Sequence, residues 1–467
     1  MRSPLLDRLD LLPIGQQRSL LFLASFLFLV AAAPRNLLRG ILYAEEGTTY
    51  LRYAREAGAL RALLAPHQGY FALVPNLATD LAAHSIPLLY VPLFTAWCAL
   101  AVHLLVASLA VTCELFTSFR QRAGAVAVAT LAAGSANTFN GTINSQFFLG
   151  IATALLFLSS PLRYRLFRGL VLVVAGLTGT VSCFLLPFFL LRARNSRSVG
   201  AWLQAALLST CAAIQLAVIH HALPFTARSS IPLLPPKVYL DALFTHSFVL
   251  PFASRLAFYP LATFLSAHPS SPVWIALSLF SLMLWTLLVR LVWSGGALPR
   301  LLLLMALFAA ACSTAGIVGT PGNRVGDGDR YYVVTNALVG FALLLRLRTP
   351  PRLHSYTSAR RLSQLALILF LLSGALDFAR FWNANQFAPA WPPQVLAWQS
   401  DPTFPLVIAP RIWRNAPLSF SPQPGSLALP FYIFDSNLSS AAISTIPPEC
   451  FGPHWSANLP CDLGRAE

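Results

Sequence analysis

The stretch SLLFLASFLFLVAAAP, residues 19–34, is an apolar run that follows Arg2, Arg8 and Arg18. A helix needs roughly 20 apolar residues to cross the hydrocarbon core of a bilayer. A basic flank before an apolar run is also typical of a secretory signal. Because no convincing small-residue cleavage site precedes Pro34, the stretch predicts an uncleaved first transmembrane helix.

The composition of the whole chain agrees with a membrane protein. Of 467 residues, 56% are hydrophobic and 10% are charged, whereas a soluble domain has about 25% charged residues. The formal net charge is +16, and Lys237 is the only lysine. A basic chain can bind nucleic acid, but these arginines separate apolar runs and form no basic domain. The composition therefore excludes soluble, disordered and nucleic-acid-binding proteins and predicts an all-α polytopic membrane protein.

Further apolar runs of similar length recur along the chain, at residues 88–112, 122–138, 144–160, 200–221, 272–293, 300–319, 331–347 and 361–380. Segment 168–191 is broken by Gly176, Gly179 and Pro187, so we expect it to enter and return as two short helices. Its turn must be buried in protein, because lipid cannot satisfy the turn backbone. The result is about 11 transmembrane or re-entrant helices in a domain spanning residues 1–380, followed by a small tail, 381–467.

The positions of the arginines predict the orientation. If the N-terminus is inside, the inner loops hold 18 cations and three acids, and the outer segments hold 14 cations and 13 acids. The positive-inside rule favours this arrangement. It places the C-terminal tail outside, and with it Cys450 and Cys461, the only cysteines beyond the predicted spans. We therefore expect these two to form a disulfide, since thiols oxidise in that compartment.

The outer segments carry most of the polar residues. Segment 34–87 is predicted to contain two amphipathic helices that lie in the membrane interface. The first continues to about Leu64, and the second, at 70–84, has a leucine stripe and a polar stripe formed by Asn76, Asp80 and His84. Segment 222–271 is predicted to be a long outer loop with an interfacial helix through Asp241 and His246.

Two polar groups stand out near the first four spans. Glu45 and Glu46 directly follow the first span, and adjacent carboxylates repel, so one or both should bind a cation, a metal or a proton. Alternatively, they are a solvated helix N-terminus. A second group could hydrogen-bond sugar hydroxyls or could simply cap helices; it comprises Asn137, Asn140, Asn144 and Gln146.

Two more groups lie in the predicted outer loops. Asp327-Gly-Asp329-Arg330-Tyr331, with Arg324 before it, offers carboxylates and an arginine that can hold a phosphate. It could also be a glycine turn with a local ion pair. His67-Gln68-Gly69-Tyr70 links the two interfacial helices, either as a binding segment or as an aromatic anchor beside a turn.

The order of these motifs resembles the GT-C class of polytopic glycosyltransferases, and more closely a group of bacterial membrane proteins similar to that class. Tyr43-Ala-Glu-Glu-Gly47 resembles their acidic "EDG" motif, and Ala65-Pro-His-Gln-Gly-Tyr70 resembles their "PyxGYxxxxPR" segment. Asn144-Ser-Gln-Phe-Phe-Leu149 and Gly328-Asp-Arg-Tyr331 resemble their "NxxWxL" and "RY" segments. Three departures are Glu46 for the usual Asp, Asn76 where Arg is common, and Phe147 or Phe148 for Trp.

The resemblance implies a cell-envelope glycosyltransferase in a bacterial inner membrane. It would move a hexose or pentose from a polyprenyl-phosphate donor to an acceptor on the outer face. Glu45 or Glu46 would be the general base, with Glu46 aligned to the motif Asp, and Arg324 or Arg330 would neutralise the leaving phosphate. The other implied substrate contacts are His67, Gln68, Tyr70, Asn144, Gln146, Asp327, Asp329 and Tyr331. The donor and membrane lipids are the implied partners, and a divalent cation is allowed but not required.

Two other functions remain open from the sequence. The first is a membrane transporter or lipid flippase, although we find no internal repeat and no Asp, Glu, Lys or Arg in the middle of a predicted span, where ion-coupled transporters usually place an ionisable group. The second is a non-catalytic envelope assembly protein whose tail docks a partner.

Overall fold

The computed structural model describes residues 8–42, 45–67, 69–139, 141–160, 165–222, 236–268, 272–293, 295–318, 328–348, 355–385, 391–401 and 406. Nearly all of these are helical, as predicted. Seven helical segments are long and apolar enough to cross a membrane: Ile14–Ala32, Leu88–Thr112, Val199–Ala222, Ala242–Leu265, Ile275–Trp293, Ala297–Ala315 and Ser358–Arg380. The chain is therefore an all-α polytopic membrane protein.

The first half of the chain contains α1 (Ile14–Ala32), α2 (Pro34–Arg39), α3 (Arg52–Ala57), α4 (Ala59–Leu64), α5 (Leu73–Ser85), α6 (Val91–Thr112), α7 (Phe119–Leu131), α8 (Ser135–Thr138), α9 (Ser145–Leu158), α10 (Arg165–Gly176), α11 (Leu186–Ser196) and α12 (Val199–Ala222). A π-helix (Glu46–Leu51) precedes α3, and 3-10 turns precede α6, α9 and α11. Strands β1 (Pro66–His67) and β2 (Tyr70–Phe71) form a small antiparallel hairpin.

The second half contains α13 (Pro236–Phe244), a π-helix (Thr245–Val249), α14 (Leu250–Ala267), α15 (Val273–Trp293), α16 (Ala297–Val318), a 3-10 helix (Asp329–Tyr332), α17 (Val333–Arg346), α18 (Ser355–Asn385) and α19 (Trp391–Ser400). Of the predicted tail, α19 packs back on the bundle, where the Trp391 Nε1–H donates to the Leu88 carbonyl at 2.9 Å. The predicted disulfide between Cys450 and Cys461 lies outside the described residues.

Three predicted spans are wrong in length. The predictions at 122–138, 144–160 and 331–347 correspond to α7, α9 and α17, which have 13, 14 and 14 residues. At 1.5 Å per residue, α9 and α17 are each about 21 Å long, whereas the hydrocarbon core is about 30 Å thick. Every residue of both helices is buried. They are apolar on all sides because protein surrounds them.

The prediction of two short helices in segment 168–191 is confirmed, as α10 and α11. Their turn packs on the small β-hairpin, where the Gly179 N–H donates to the Phe71 carbonyl at 2.9 Å. The buried side-chain amide of Gln215 also links the turn to the β-hairpin. It accepts from the Phe71 N–H at 3.0 Å and donates to the carbonyls of Phe71, Gly176 and Gly179 at 2.9–3.2 Å. The turn backbone is thus satisfied inside the protein, as its setting requires.

In the predicted outer loop at 222–271, the expected helix through Asp241 and His246 is present, but the helical structure covers residues 236–267 and is longer than predicted. These residues do not form one straight rod, because Ser254 has φ 58° and ψ 177° and turns the chain back. The rings of His246 and Phe258 are 4.8 Å apart, whereas twelve residues of straight helix would separate them by about 18 Å. Segment 236–267 is therefore a helical hairpin.

The two ends of the bundle differ in character. One end, which we call the Glu45 end, contains Glu45, Asn144 and the segment after Gly328. The other, the arginine end, contains arginines that hold the last carbonyls of helices. Arg192 donates to the carbonyls of Leu156, Phe157 and Ser159 at the end of α9. A cation is favourable there, because helix C-termini carry partial negative charge.

The segment between α1 and α6 is amphipathic, but most of the polar stripe of α5 is buried, and its last member, His84, is exposed. In α5, Leu77 and Leu81 are each 44% exposed, whereas Asn76 and Asp80 are buried. The Asn76 amide donates to the carbonyls of Leu63 and Ala65 at 3.0 and 2.8 Å and so ties α4 to α5. The leucine stripe faces away from the protein, as expected for helices beside lipid.

Candidate functional site

A small polar cavity lies at the Glu45 end. It is lined by Glu45, Tyr70, Ile143, Asn144, Gln146, Arg330 and Tyr331 and has room for about one water molecule. Six of these seven residues are site residues predicted from sequence, and they come from four separate segments of the chain. The fold therefore brings the acidic motif, the tyrosine turn, the asparagine segment and the arginine-tyrosine segment together.

Glu45 and Arg330 supply the charges of the cavity. Glu45 caps the π-helix Glu46–Leu51 and is 7% exposed. Arg330 lies in the 3-10 helix Asp329–Tyr332, with its guanidinium carbon 5.4 Å from the centre of the Tyr331 ring. Burial opposes the charge of Arg330, but Tyr331, the Glu45 carboxylate and Tyr70 outweigh burial and raise the arginine's pKa. Arg330 is therefore a permanent cation beside a carboxylate.

The remaining polar groups of the cavity are mainly donors. The Gln146 Nε2 donates to the Tyr70 hydroxyl at 2.9 Å. Asn144 is 2% exposed, and its Nδ2 has no hydrogen-bond partner among the described residues. Tyr50, just behind the cavity, stays a neutral phenol because burial and the neighbouring Tyr70 and Glu45 raise its pKa. A buried donor without a partner is costly, so Asn144 is suited to an acceptor atom of a ligand.

Glu46 does not line the cavity. The sequence analysis treated both glutamates as a boundary motif, but the Glu46 side chain is completely buried. Its Oε1 accepts from the Thr142 N–H at 2.9 Å and from the Thr142 hydroxyl at 2.5 Å, and its Oε2 accepts from the Thr95 hydroxyl at 3.3 Å. Glu46 thereby fixes the turn that leads to Asn144. Nothing in the motif spacing pointed to Thr95 or Thr142.

His67 lies behind the cavity, packed between two aromatic rings. Its ring centre is 4.4 Å from that of Tyr50 and 5.3 Å from that of Tyr53. Burial lowers the pKa of His67 from 6.5 to about 4, so the imidazole is neutral at pH 7. This position makes His67 part of the packing under Tyr70 and not a lining residue of the cavity.

This burial predicts a dependence of stability on pH. The folded protein binds the His67 proton less readily than the unfolded chain does, so the stability is fully present above pH 6.5 and is lost as the pH falls towards 4. The loss should be about 3 kcal/mol over that range. Unfolding temperatures of the purified protein measured across this range should show the slope, and His67→Phe should reduce it. His268→Phe, at an exposed histidine, is the control; an unchanged slope in His67→Phe would contradict the prediction.

Asp329 is held away from the cavity by an ion pair with Arg255 of the 236–267 hairpin. Both side chains are buried. The Arg255 N–H also donates to the Asp377 carboxylate of α18 at 3.0 Å. The ion pair thus connects the hairpin to the residue directly before Arg330. Arg255 was not among the residues predicted from sequence, although a lone cation in the apolar stretch Leu250–Leu261 is the kind of signal that marks a buried partner.

Four predicted site residues lie outside the described residues: Gln68, Asn140, Arg324 and Asp327. The side chain of Asn137 is likewise not described. In the described part of the chain, no three His, Cys, Asp or Glu side chains form a group that could hold a metal ion.

The described cavity thus presents one carboxylate, one permanent cation and a set of amide and phenol donors within a membrane protein. Such a set can bind an anionic group and take up a proton at the same place. Comparison with protein-family models, with curated proteins and with solved structures finds no match to this chain, so its function is inferred from the cavity itself.

Proposed function

We propose that this protein is a membrane glycosyltransferase that moves a sugar from a polyprenyl-phosphate donor to a hydroxyl acceptor. The observation that carries the proposal is the placement of Glu45 and Arg330 on one cavity, with donors around them. The two residues have complementary roles in such a transfer. One takes up the proton of the acceptor, and the other stabilises the phosphate that leaves.

The transfer breaks the bond between the anomeric carbon of the sugar and a phosphate oxygen, and it forms a bond from that carbon to the acceptor oxygen. Glu45 accepts the proton of the acceptor hydroxyl as general base. Arg330 neutralises the negative charge that develops on the departing phosphate, and its planar guanidinium can hold two phosphate oxygens at once. Asn144 Nδ2 donates to a further oxygen of the donor.

The depth of the cavity suits a lipid-linked donor. Glu46, next to Glu45, contacts Thr95, about one helical turn inside the start of α6 at Val91. The short helices α9 and α17 begin beside the cavity, so the bundle is recessed there. A polyprenyl chain that lies in the bilayer would bring its phosphate to this level. The cavity has room for about one water molecule, so Tyr70 and Tyr331 must move apart to admit a sugar.

We extend the proposal to the topology. The arginine end would face the cytoplasm of a bacterial inner membrane, as the positive-inside rule favours, and the Glu45 end would face outwards. In this proposed topology the chain has about 11 transmembrane or re-entrant helices in a GT-C-like arrangement. Reporters fused after Arg122 and Arg361 should then read inside, and reporters after Leu64 should read outside.

The test is direct. The purified protein in nanodiscs is incubated with polyprenyl-phosphate hexose and pentose donors and with a membrane extract that supplies hydroxyl acceptors, and the release of free polyprenyl phosphate is measured by mass spectrometry. We expect release of polyprenyl phosphate from at least one lipid-phosphate donor and no release of nucleoside phosphates from nucleotide sugars tested in parallel. If the intact lipid-linked sugar crosses the bilayer of proteoliposomes without being cleaved, the transporter alternative takes its place.

A further inference from the structure

A second groove lies at the arginine end, far from the cavity just described. It is a shallow groove of about 440 Å³ at the end of α15 and the start of α16, lined by Val289, Arg290, Trp293 and Arg300. The groove is open along the surface, and Trp293 is 49% exposed. Nothing in the proposed transfer uses it.

Among the described residues, no carboxylate forms an ion pair with either arginine of the groove. No Asp or Glu occurs between residues 272 and 318. Arg300 Nε donates to the Trp293 carbonyl at 2.6 Å, with the guanidinium carbon 4.9 Å from the centre of the Trp293 ring. This contact uses only one of the donors of Arg300. Arg290 forms no ion pair with any described residue, so both guanidinium groups can bind an anion.

The groove continues into an apolar face of α15. Five apolar side chains on this helix are more than half exposed: Ile275, Leu279, Leu282, Met283 and Leu287. Their spacing of three and four residues places them on one side of the helix, which leads towards Arg290 and Trp293. A ligand that fits both parts has an anionic head and long apolar chains.

We propose that this groove binds an anionic phospholipid. Its phosphate lies between Arg290 and Arg300, and its acyl chains lie along α15. Arginine suits this role because its fork matches two phosphate oxygens, and tryptophan suits the boundary between headgroups and chains. Basic pockets between helices at the cytoplasmic side are the usual form of such lipid sites. An acidic protein segment fits less well, because it would not cover the leucine face.

The test compares lipids and variants. The full-length protein is purified in detergent and titrated with phosphatidylglycerol or with phosphatidylcholine, and bound lipid is counted by native mass spectrometry. We expect the wild type to retain phosphatidylglycerol in preference to phosphatidylcholine. The variant Arg290→Gln/Arg300→Gln should bind phosphatidylglycerol about tenfold more weakly. Arg290→Gln alone, which keeps the Arg300 contact with Trp293, should show a smaller loss.

The control variant is Arg194→Gln/Arg197→Gln, which removes two exposed arginines in or directly after α11, at the arginine end but outside the groove. It should bind as the wild type does. Equal retention of both lipids by the wild type, or unchanged phosphatidylglycerol binding by the groove variant, would overturn the proposal. Full competition by inorganic phosphate would also overturn it, since the groove would then take the anion without the lipid.

Discussion

Glu45→Gln is expected to lower sugar transfer about 100- to 10,000-fold, the usual contribution of a positioned general base. Among the described residues that line the cavity, Glu45 is the only carboxylate. Glutamine has nearly the same shape, but it cannot take up the proton of the acceptor. The effect should therefore appear in turnover, with the amount of protein in the membrane unchanged.

The matched control is Glu56→Gln in the same segment. Glu56 pairs with Arg52 at 3.0 Å on the exposed side of α3, where loss of an ion pair costs little. Transfer is measured on membranes with the protein level checked by blot. Glu46→Gln should act through the position of Thr142 and so be milder in turnover. If Glu45→Gln keeps full activity while folded Glu46→Gln loses it, the base is Glu46, the residue that aligns with the motif Asp.

Asp329→Leu is expected to destabilise the protein by about 3–5 kcal/mol, because it leaves Arg255 as a buried charge without its carboxylate partner. Arg255→Met should have an effect of similar size for the converse reason. The double variant, Arg255→Met with Asp329→Leu, should recover most of the loss, since a buried ion pair replaced by apolar side chains is often close to neutral.

The measurement is the unfolding temperature of the four purified proteins in one detergent, read as a double-mutant cycle. A coupling near zero would contradict the prediction and would mean that the hairpin is held by packing alone. Activity is measured separately, because Asp329 precedes Arg330 and its loss should also displace that guanidinium.

The sequence predicted that Tyr70, Asn144, Gln146 and Arg330 lie on the same side of the membrane as the acidic pair, because successive spans return the chain to the same end of the bundle. It did not predict that they line one cavity. It could not separate Glu45 from Glu46. The π-helix that begins at Glu46 turns one carboxylate into the cavity and the other onto Thr142, and no pattern in the sequence reveals that turn.

Hydropathy also predicted the positions of the helices better than it predicted their lengths. Leucine and phenylalanine read alike whether they face lipid or protein, so α9 and α17 were taken for full spans. The hairpin at 236–267 was missed for a related reason. Its bend occurs at Ser254 and not at a glycine, and its buried polar residues, His246 and Arg255, made the segment resemble an outer loop.

The reversal of the chain at Ser254 changes how many times segment 236–267 traverses the bundle. Because Glu45 and Arg330 share one cavity, the chain between them must traverse the bundle an even number of times. Six helices satisfy this parity, with each helical hairpin leaving and returning on its own side: α6, α7, α9, α12, α15 and α16. A topology assigned from hydropathy alone would count Ala242–Leu265 as a crossing and invert every later loop. It would thereby place Arg290 and Arg300 on the opposite side from Arg192.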